Sequence, residues 1–189
     1  MKTKSILLFT ILTMLSCAYK VGYPKRALAG GYDKVAISVF ENKTREVGVE
    51  VYFTNALVRN FERSKVAKVV SKNIAPVSIV GEIDKIELDQ AVIVSGGDTG
   101  FEKLPLKSVL TINYNVKLNS TIKMVRNSDH TVLWSGKFYQ EKVYSAPQLE
   151  SAKLNSANAL YNQRAKHQVY KAIAQIMMKE VHDRMTENF

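Results

Sequence analysis

The stretch that decides the fold is residues 107–126, which read KSVLTINYNVKLNSTIKMVR. From Leu110 to Met124 nearly every second side chain is apolar, and the side chains between them are Asn, Thr or Lys. Because successive side chains of a β-strand point to opposite faces, this period of two predicts a long strand with one buried and one solvated face. Polar turn residues at 127–129 follow, and residues 131–144 are predicted to return as the second strand of a hairpin.

Four further elements are predicted upstream of this hairpin. Residues 34–40 and 66–72 have the apolar patterns of short strands. Apolar residues recur at helical spacing over residues 48–64, which predicts an amphipathic helix with one stripe packed on a sheet. Residues 77–94 are predicted to form a longer strand. Its apolar residues change parity, so we expect a bulge or a break near residues 84–85, because one inserted residue turns the later side chains to the other face.

The last part of the chain is predicted to be helical. Residues 145–147, Ser-Ala-Pro, are a helix start signal, because proline is tolerated in the first turn, and the helix runs to near Met185 with or without a break. Residues 163–168 are polar almost all round, so we expect this part to project or to be covered by another chain. The predicted packing stripe of the second half comprises Val169, Ile173, Ile176 and Met177.

This element order predicts an α+β fold, a two-layer sandwich in which two helices lie on one face of a mostly antiparallel sheet of about four strands. Residues 34–189 are expected to form it as a single domain, since 189 residues suit one domain of about 150 residues with small additions. Hydrophobic residues make up 46% and charged residues 23% of the chain. That composition is ordinary for a globular protein and excludes wholesale disorder.

The first 33 residues are predicted to be a targeting signal followed by a tether. Lys2 and Lys4 precede an apolar run at residues 5–15, which is shorter than the roughly 20 residues that span a bilayer. The single cysteine, Cys17, follows a small residue after this run and resembles the processing site of bacterial lipoproteins. That resemblance implies a signal peptide at residues 1–16, acyl chains on Cys17, and a lipidated tether over residues 17–33. The alternative is an ordinary signal peptide with an incidental cysteine.

The net charge points to anionic partners. The chain carries 27 basic and 17 acidic side chains, a formal charge of +10. Removal of residues 1–16 takes two lysines and no acid, which leaves 25 against 17, or +8. An exported basic protein favours phosphorylated lipid A, acidic glycans or lipid headgroups, whereas the export signal argues against nucleic acid. The alternative, that the charge only confers solubility, remains open.

The sequence lacks the common motifs for catalysis and for metal binding. The glycine-rich segment at residues 96–100 lacks the Lys-Ser/Thr ending of a phosphate-binding loop, and neither His-Glu-x-x-His nor Gly-x-Ser-x-Gly occurs. One cysteine and three scattered histidines do not suggest a metal centre. Glu82 and Asp84 are a candidate carboxylate pair, but solvated or ion-paired acids outnumber catalytic ones. We therefore expect a protein that is not an enzyme and that has no cofactor apart from the lipid on Cys17.

A resemblance to one family extends over nearly the whole mature chain. Residues 35–44 read VAISVFENKT, an apolar strand that ends in Phe-x-Asn-x-Thr. The later matching segments are GVE at 48–50, FTNAL at 53–57, VGEI at 80–83, YNV at 114–116 and LWS at 133–135. Together with the lipoprotein site, these segments resemble the outer-membrane lipopolysaccharide-assembly lipoproteins of the LptE family. Ser38 departs from the proline that is common in that family.

The resemblance implies a role without catalysis. Members plug a large outer-membrane β-barrel and help it fold, and the complex places lipopolysaccharide in the outer leaflet. The implied partners are therefore the barrel, lipopolysaccharide and the membrane that holds the lipid anchor. The implied location is the outer membrane, facing the periplasm or within the barrel lumen. On the polar face at residues 111–123, Lys117 and Lys123 are candidates for contacts with lipid A phosphates, because an ammonium group on a rigid strand is a point-charge ligand; solvated surface lysines are the alternative.

Two other classes of lipoprotein remain open. One is an activator of peptidoglycan synthases, whose members share a similar strand-Asn-x-Thr-helix opening but need a long tether to cross the cell wall. Here about 16 residues separate Cys17 from the first strand, which reach roughly 50 Å when fully extended, so the tether argues against this class. The other is an auxiliary lipoprotein of a lipid-transport system, which composition does not exclude.

Overall fold

The computed structural model describes residues 27–99, 106–107, 109–145 and 159–187. The predicted signal peptide, Cys17 and most of the predicted tether lie outside these residues, as do Ala146 and Pro147 of the predicted helix start. Within the described ranges, none of the helices combines the length and the apolar character that a membrane span requires.

The described residues form six strands and two helices. In chain order they are β1 (Lys34–Ile37), β2 (Glu41–Asn42), α1 (Val49–Ser64), β3 (Lys68–Val69), β4 (Val77–Ser95), β5 (Val109–Arg126), β6 (Val132–Ser145) and α2 (Ala159–Thr186). The predicted long hairpin corresponds to β5 and β6, and the predicted amphipathic helix corresponds to α1.

The strands form one mixed sheet in the order β3-β1-β4-β5-β6, and β2 pairs with β4 beyond the end of β1. Strands β1, β2 and β3 make only parallel pairs, whereas β4, β5 and β6 are antiparallel to one another. The α+β class is confirmed, but the prediction of a mostly antiparallel four-stranded sheet is wrong. The predicted strands at residues 34–40 and 66–72 contain β1 and β3, but β2 has only two residues and no recognisable period. The parallel direction of these pairs depends on how the strands are connected in space, which a local pattern does not show.

The parity change in β4 is confirmed as a bulge. The register with β5 shifts between Ile83 and Lys85. Ile83 lies opposite Ser120, and Ile86 lies opposite Leu118, so both isoleucines face the core although their numbers differ in parity. One extra residue in a strand turns all later side chains over, and here it keeps the apolar side of β4 against the core.

The core lies between the sheet and the two helices. Its largest fully buried side chains include Phe53, Leu57 and Phe61 from α1, Tyr170, Ile173 and Met177 from α2, and Leu118, Ile122 and Met124 from β5. The predicted stripe on α2 is correct for Val169, Ile173 and Met177 but wrong for Ile176, which is 49% exposed. The buried stripe also includes Tyr170, Met178 and Val181, so its centre lies further round the helix and leaves Ile176 at its margin.

The polar segment at residues 163–168 packs partly against the same chain. The ammonium of Lys166 lies 2.7 Å from the carboxylate of Glu46, and both side chains are about three-quarters buried. The Tyr52 hydroxyl lies 3.3 Å from Nδ1 of His167. The prediction that this segment projects or is covered by another chain is therefore wrong for Lys166 and His167, because its polar groups find partners on α1 and in the loop before it.

Candidate interaction surface

The Phe-x-Asn-x-Thr segment builds a corner between β2 and α1. The Asn42 amide donates to the Glu46 carbonyl at 2.7 Å and to the Glu50 carboxylate at 2.8 Å. Its oxygen accepts hydrogen bonds from the backbone N–H of Thr44 at 2.9 Å and from the Thr44 hydroxyl at 2.8 Å. One amide thus satisfies four groups of the loop that leads into α1, so this motif has a structural role.

Phe40 of the same segment packs on Gly81 of the VGEI segment. Phe40 is buried and its ring lies 5.9 Å from that of Phe53, measured between centroids. A Cβ atom placed on Gly81 would come closer than 3.0 Å to three atoms of the Phe40 ring. The glycine is therefore required by close packing, and two of the segments that carry the resemblance are explained by one contact.

The side of β4, β5 and β6 that points away from the helices is called the outer face here. In an antiparallel sheet, residues that lie opposite each other share a face, and the odd-numbered residues of β5 point outward. Lys117 and Lys123 lie on this face as predicted, with 35% and 41% of their side chains exposed. It also carries Asn113, Asn115, Asn119 and Thr121.

Carboxylates of β4 lie beside these lysines, and the one nearest Lys123 is shared with Lys43. The Lys117 ammonium lies 2.7 Å from Asp89, and Lys123 lies 4.0 Å from Glu82. The hydrogen bond to Asp89 raises the pKa of Lys117 above its ordinary value. A phosphate group that binds Lys117 must therefore compete with a carboxylate that is already in place. The structure brings the two predicted residues onto one surface but does not leave their charges unpaired.

The outer face of these three strands carries no excess of positive charge. Its lysines are Lys85, Lys117, Lys123 and Lys137, and its acids are Glu82, Asp84, Glu87, Asp89 and Glu141. Lys85 pairs with Glu87 at 2.7 Å, and the Tyr139 hydroxyl donates to Glu141 at 2.6 Å. The positive net charge of the chain must therefore be concentrated elsewhere.

Glu82 and Asp84, the candidate carboxylate pair, have separate partners. Glu82 accepts a hydrogen bond from Lys43 at 2.5 Å, and Asp84 accepts one from the Thr121 hydroxyl at 2.7 Å. The hydrogen bond from Lys43 lowers the pKa of Glu82, whereas a general acid needs a raised pKa. The arrangement therefore suits an ionised surface carboxylate better than an acid catalyst.

The far halves of β4 and β5 form an apolar end of the sheet, called the distal end here. On the side of β4 away from β5, the described strands pair only up to Ile83. Residues 84–95 therefore leave an edge without a described partner. Exposed apolar side chains gather at this end: Leu88, Val92, Ile93, Leu106 and Val109. Unpaired strand edges and clustered apolar side chains are common features of interaction surfaces.

Sequence reasoning missed a contact between His182, Ser64 and Asp183. Nε2 of His182 lies 2.8 Å from the Ser64 hydroxyl oxygen, and Nδ1 lies 3.3 Å from Asp183. The histidine is buried and its ring packs edge-on against Phe61 at 4.9 Å. The Ser64 hydroxyl also reaches the carbonyl of Phe61 at 3.2 Å. These contacts tie α2 to the end of α1, and the apolar spacing of α2, extended to residue 182, is the signal that places this histidine inward.

Within the described ranges, no three His, Cys, Asp or Glu side chains come together in a way that would hold a metal ion. Cys17, the predicted lipidation site, lies outside the described residues. The surface therefore offers groups for binding a macromolecule or a lipid, in the form of paired charges, amides and an apolar edge.

Comparison with known proteins gives a family and a fold. The sequence model of the LptE family, described as lipopolysaccharide-assembly, matches residues 32–185. No curated protein sequence matches the chain. The structure is similar to a PelC dodecamer from Paraburkholderia phytofirmans with a TM-score of 0.51 at 13% identity, over 86% of this chain and 92% of that chain. It is also similar to a neuraminyllactose-binding hemagglutinin homolog from Helicobacter pylori with a TM-score of 0.51 at 11% identity, over 88% and 93%. At these identities the two structures show the fold alone.

Proposed function

We propose, because the chain belongs to the LptE lipopolysaccharide-assembly family, that it is an outer-membrane lipoprotein which plugs a β-barrel lipopolysaccharide translocon and assists its assembly. The family match over residues 32–185 is the observation that carries this proposal, since it includes nearly the whole folded domain. The family is one of non-catalytic lipoproteins that work with the lipopolysaccharide translocon. The proposed outcome of plugging and assembly is delivery of lipopolysaccharide to the outer leaflet.

The outer face supports a place inside a barrel. The lumen of a large barrel is hydrated and polar, so a plug needs a surface that tolerates water and offers hydrogen bonds. The outer face meets this need with amides and with lysines that already have carboxylate partners, such as Lys117 with Asp89. Paired charges of this kind do not repel either sign of charge on the lumen wall.

The distal end supports a direct contact with the barrel. Leu88, Val92 and Ile93 are 37%, 39% and 50% exposed beside the edge of β4 that has no described partner. Burial of apolar area stabilises association by about 25 cal/mol per Å². We therefore expect this end, rather than the charged middle of the outer face, to supply most of the affinity for the barrel.

Lys117 and Lys123 remain our candidates for lipid A phosphates. We expect Lys117→Glu/Lys123→Glu to weaken lipopolysaccharide binding by the purified protein, because the two added charges repel phosphate. Lys142→Glu/Lys171→Glu is a matched control, since it changes two exposed lysines outside the outer face by the same total charge. Equal affinity of the two double variants would reject the assignment.

Anchoring is proposed to occur through acyl chains on Cys17, with the domain facing the periplasm or within the barrel lumen. Each buried CH₂ contributes about 0.8 kcal/mol, so several chains hold a protein at a bilayer surface. Mass spectrometry of the native product is expected to show cleavage before Cys17 and the added mass of the lipid. An unmodified thiol would refute the anchor.

Affinity purification from the native host tests the function. We expect a large outer-membrane β-barrel to co-purify, and depletion of the protein to reduce both the folded barrel and surface lipopolysaccharide. A distal variant, Val92→Asp/Ile93→Asp, should lose the barrel while the protein remains folded, because both side chains are already exposed. Co-purification of a peptidoglycan synthase or of transporter subunits in place of a barrel would instead favour one of the other two lipoprotein classes.

A further inference from the structure

Two lysines face each other at the β3 edge of the sheet. Lys34 and Lys68 are register partners in the parallel pair β1–β3, and neighbouring strands lie about 4.8 Å apart. Like charges directly opposite each other destabilise a sheet. Among the described residues, no carboxylate lies within ion-pair distance of either ammonium group, whereas Lys85, Lys117 and Lys123 each face one.

Two more exposed lysines extend this patch. Lys65 is the C-cap residue of α1 and has a φ of 54°, a left-handed conformation in which glycine is usual. Lys72 lies in the turn that follows β3. Neither makes an ion pair with a described residue. Lys34, Lys65, Lys68 and Lys72 together are called the basic edge.

A cleft opens on the basic edge. It has a volume of about 350 Å³ and is lined by Lys65 and Lys68, by the apolar residues Phe61, Ala67 and Val69, and by one acid, Glu62. A lining of two lysines and three apolar residues matches the chemistry of a phospholipid, in which a phosphate lies next to hydrocarbon.

The basic edge lies at the end of the sheet from which the chain leads back to Cys17. Strands β1 and β3 begin at this end, and β5 finishes there. The segment before β1 is fixed to the same end, because Leu28 is buried and Arg126 donates a hydrogen bond to the Tyr32 hydroxyl at 3.1 Å. From residue 27 back to Cys17 the chain reaches at most about 35 Å. That stretch contains Lys20, Lys25 and Arg26 and no acid.

We propose that the basic edge binds the anionic phospholipid headgroups of the bilayer to which the acyl chains of Cys17 attach. This inference rests on the proposed lipid anchor. Acyl chains alone hold the protein near the surface without orienting it, and a cationic patch provides the second signal. Contact through the basic edge would leave the distal end of β4 and β5, at the other end of the sheet, free of the headgroups.

The test is sedimentation of the full chain carrying Cys17→Ser with vesicles of phosphatidylglycerol and phosphatidylcholine. A lysine near an anionic surface contributes about a fivefold gain in partitioning. Lys34→Gln/Lys68→Gln should therefore bind phosphatidylglycerol-containing vesicles about 25-fold more weakly. The control Lys142→Gln/Lys171→Gln, with the same charge change, should stay within about twofold of the parent. The difference between the two double variants should disappear on pure phosphatidylcholine and in 1 M salt, where the Debye length is about 3 Å.

Equal binding by the two double variants would overturn the proposal, because the apolar residues 5–15 are common to both and cannot produce a difference. Binding of the parent only to vesicles that contain lipopolysaccharide would also overturn it, in favour of a lipopolysaccharide site. The outcome is independent of the lipid anchor, since the thiol is absent. Mass spectrometry of the native product tests the anchor separately.

Discussion

Substitution of Gly81 by alanine tests whether the family-like segments act through packing. The added methyl group would enter the space of the Phe40 ring, closer than 3.0 Å to three of its atoms. The ring has no room to move, because Phe40 is 2% exposed and packs on Phe53. The backbone or the neighbouring side chains where β2, β4 and α1 meet must therefore shift.

The expected cost follows from overpacking. An extra methyl group in a filled core destabilises a protein by about 1–3 kcal/mol, and the confined ring places Gly81→Ala in the upper half of that range. For a chain of this size, 1 kcal/mol lowers Tm by about 2–4 °C, so we expect a loss of about 4–12 °C. Phe40→Ala alone should cost about 3–5 kcal/mol because it leaves a cavity. In the double variant the new methyl group occupies part of that cavity, so the two costs should not add.

Urea denaturation of the wild type, both single variants and the double variant gives the coupling energy directly. We expect the double variant to be more stable than the sum of the single changes by about 0.5–3 kcal/mol, at a constant m-value. Gly136→Ala is a control, because its new methyl group would meet only the outer ring atoms of Trp134 and Phe138, and its cost should be smaller. Additive costs at Gly81 and Phe40 would refute the packing argument.

Three further predictions concern the corner, the helix stripe and the surface charges. Asn42→Ala removes four hydrogen bonds and should lower the free energy of unfolding by about 1–3 kcal/mol; a change under about 0.5 kcal/mol, typical of an ordinary surface site, would contradict the corner. Ile173→Ala should cost about 2–5 kcal/mol, whereas Ile176→Ala, at a half-exposed position, should stay within about 0.5 kcal/mol, and equal costs would contradict the orientation of α2. The hydrogen bond from Lys43 lowers the pKa of Glu82. The contribution of Glu82 to stability is therefore present above its pKa in the unfolded chain and is lost as pH falls through its pKa in the folded protein. The difference in unfolding free energy between wild type and Glu82→Gln should shrink from pH 7 to pH 3, and a constant difference would count against the ion pair.

The antiparallel half of the sheet could be predicted from the sequence because its strands are long. Over residues 109–126 one periodic pattern is repeated often enough to fix both the strand and its buried face. The same pattern predicts a bulge or a break in β4, and the structure has the bulge, because Ile83 and Ile86 share a face only if one residue is extra. In the parallel half, β1 and β3 lie within predicted strands, whereas β2 has two residues and was not predicted. The local pattern also does not fix the direction and order of these short strands. Their places depend on tertiary contacts such as the Asn42 corner.

The alternation of side chains along β5 predicts that Lys117 and Lys123 lie on the outer face. It contains no information about which carboxylates lie beside them. Asp89 and Glu82 lie 28 and 41 positions earlier in the chain, and the register that brings them opposite β5 includes the bulge. A shift of one residue in that register would have turned the acids to the other face and left both lysines unpaired. The strength of a candidate phosphate site on a sheet is therefore decided by register, which composition and local pattern do not reveal.

The net charge, like the local pattern, does not show where in the fold the charges are paired. The net charge of the chain is +10, and cleavage before Cys17 would leave +8. Either value predicts an anionic partner, and the structure separates two regions with different local charge. On the outer face of β4–β6 the acids match the lysines, which suits a surface that must sit in a hydrated lumen without strong attraction to either sign. At the β3 edge, Lys34 and Lys68 oppose each other without a described carboxylate, a repulsion that an anionic surface would relieve. A protein that both plugs a barrel and rests on a bilayer needs one surface with balanced charge for the lumen and another with excess positive charge for the headgroups. The outer face and the basic edge of this domain provide these two surfaces.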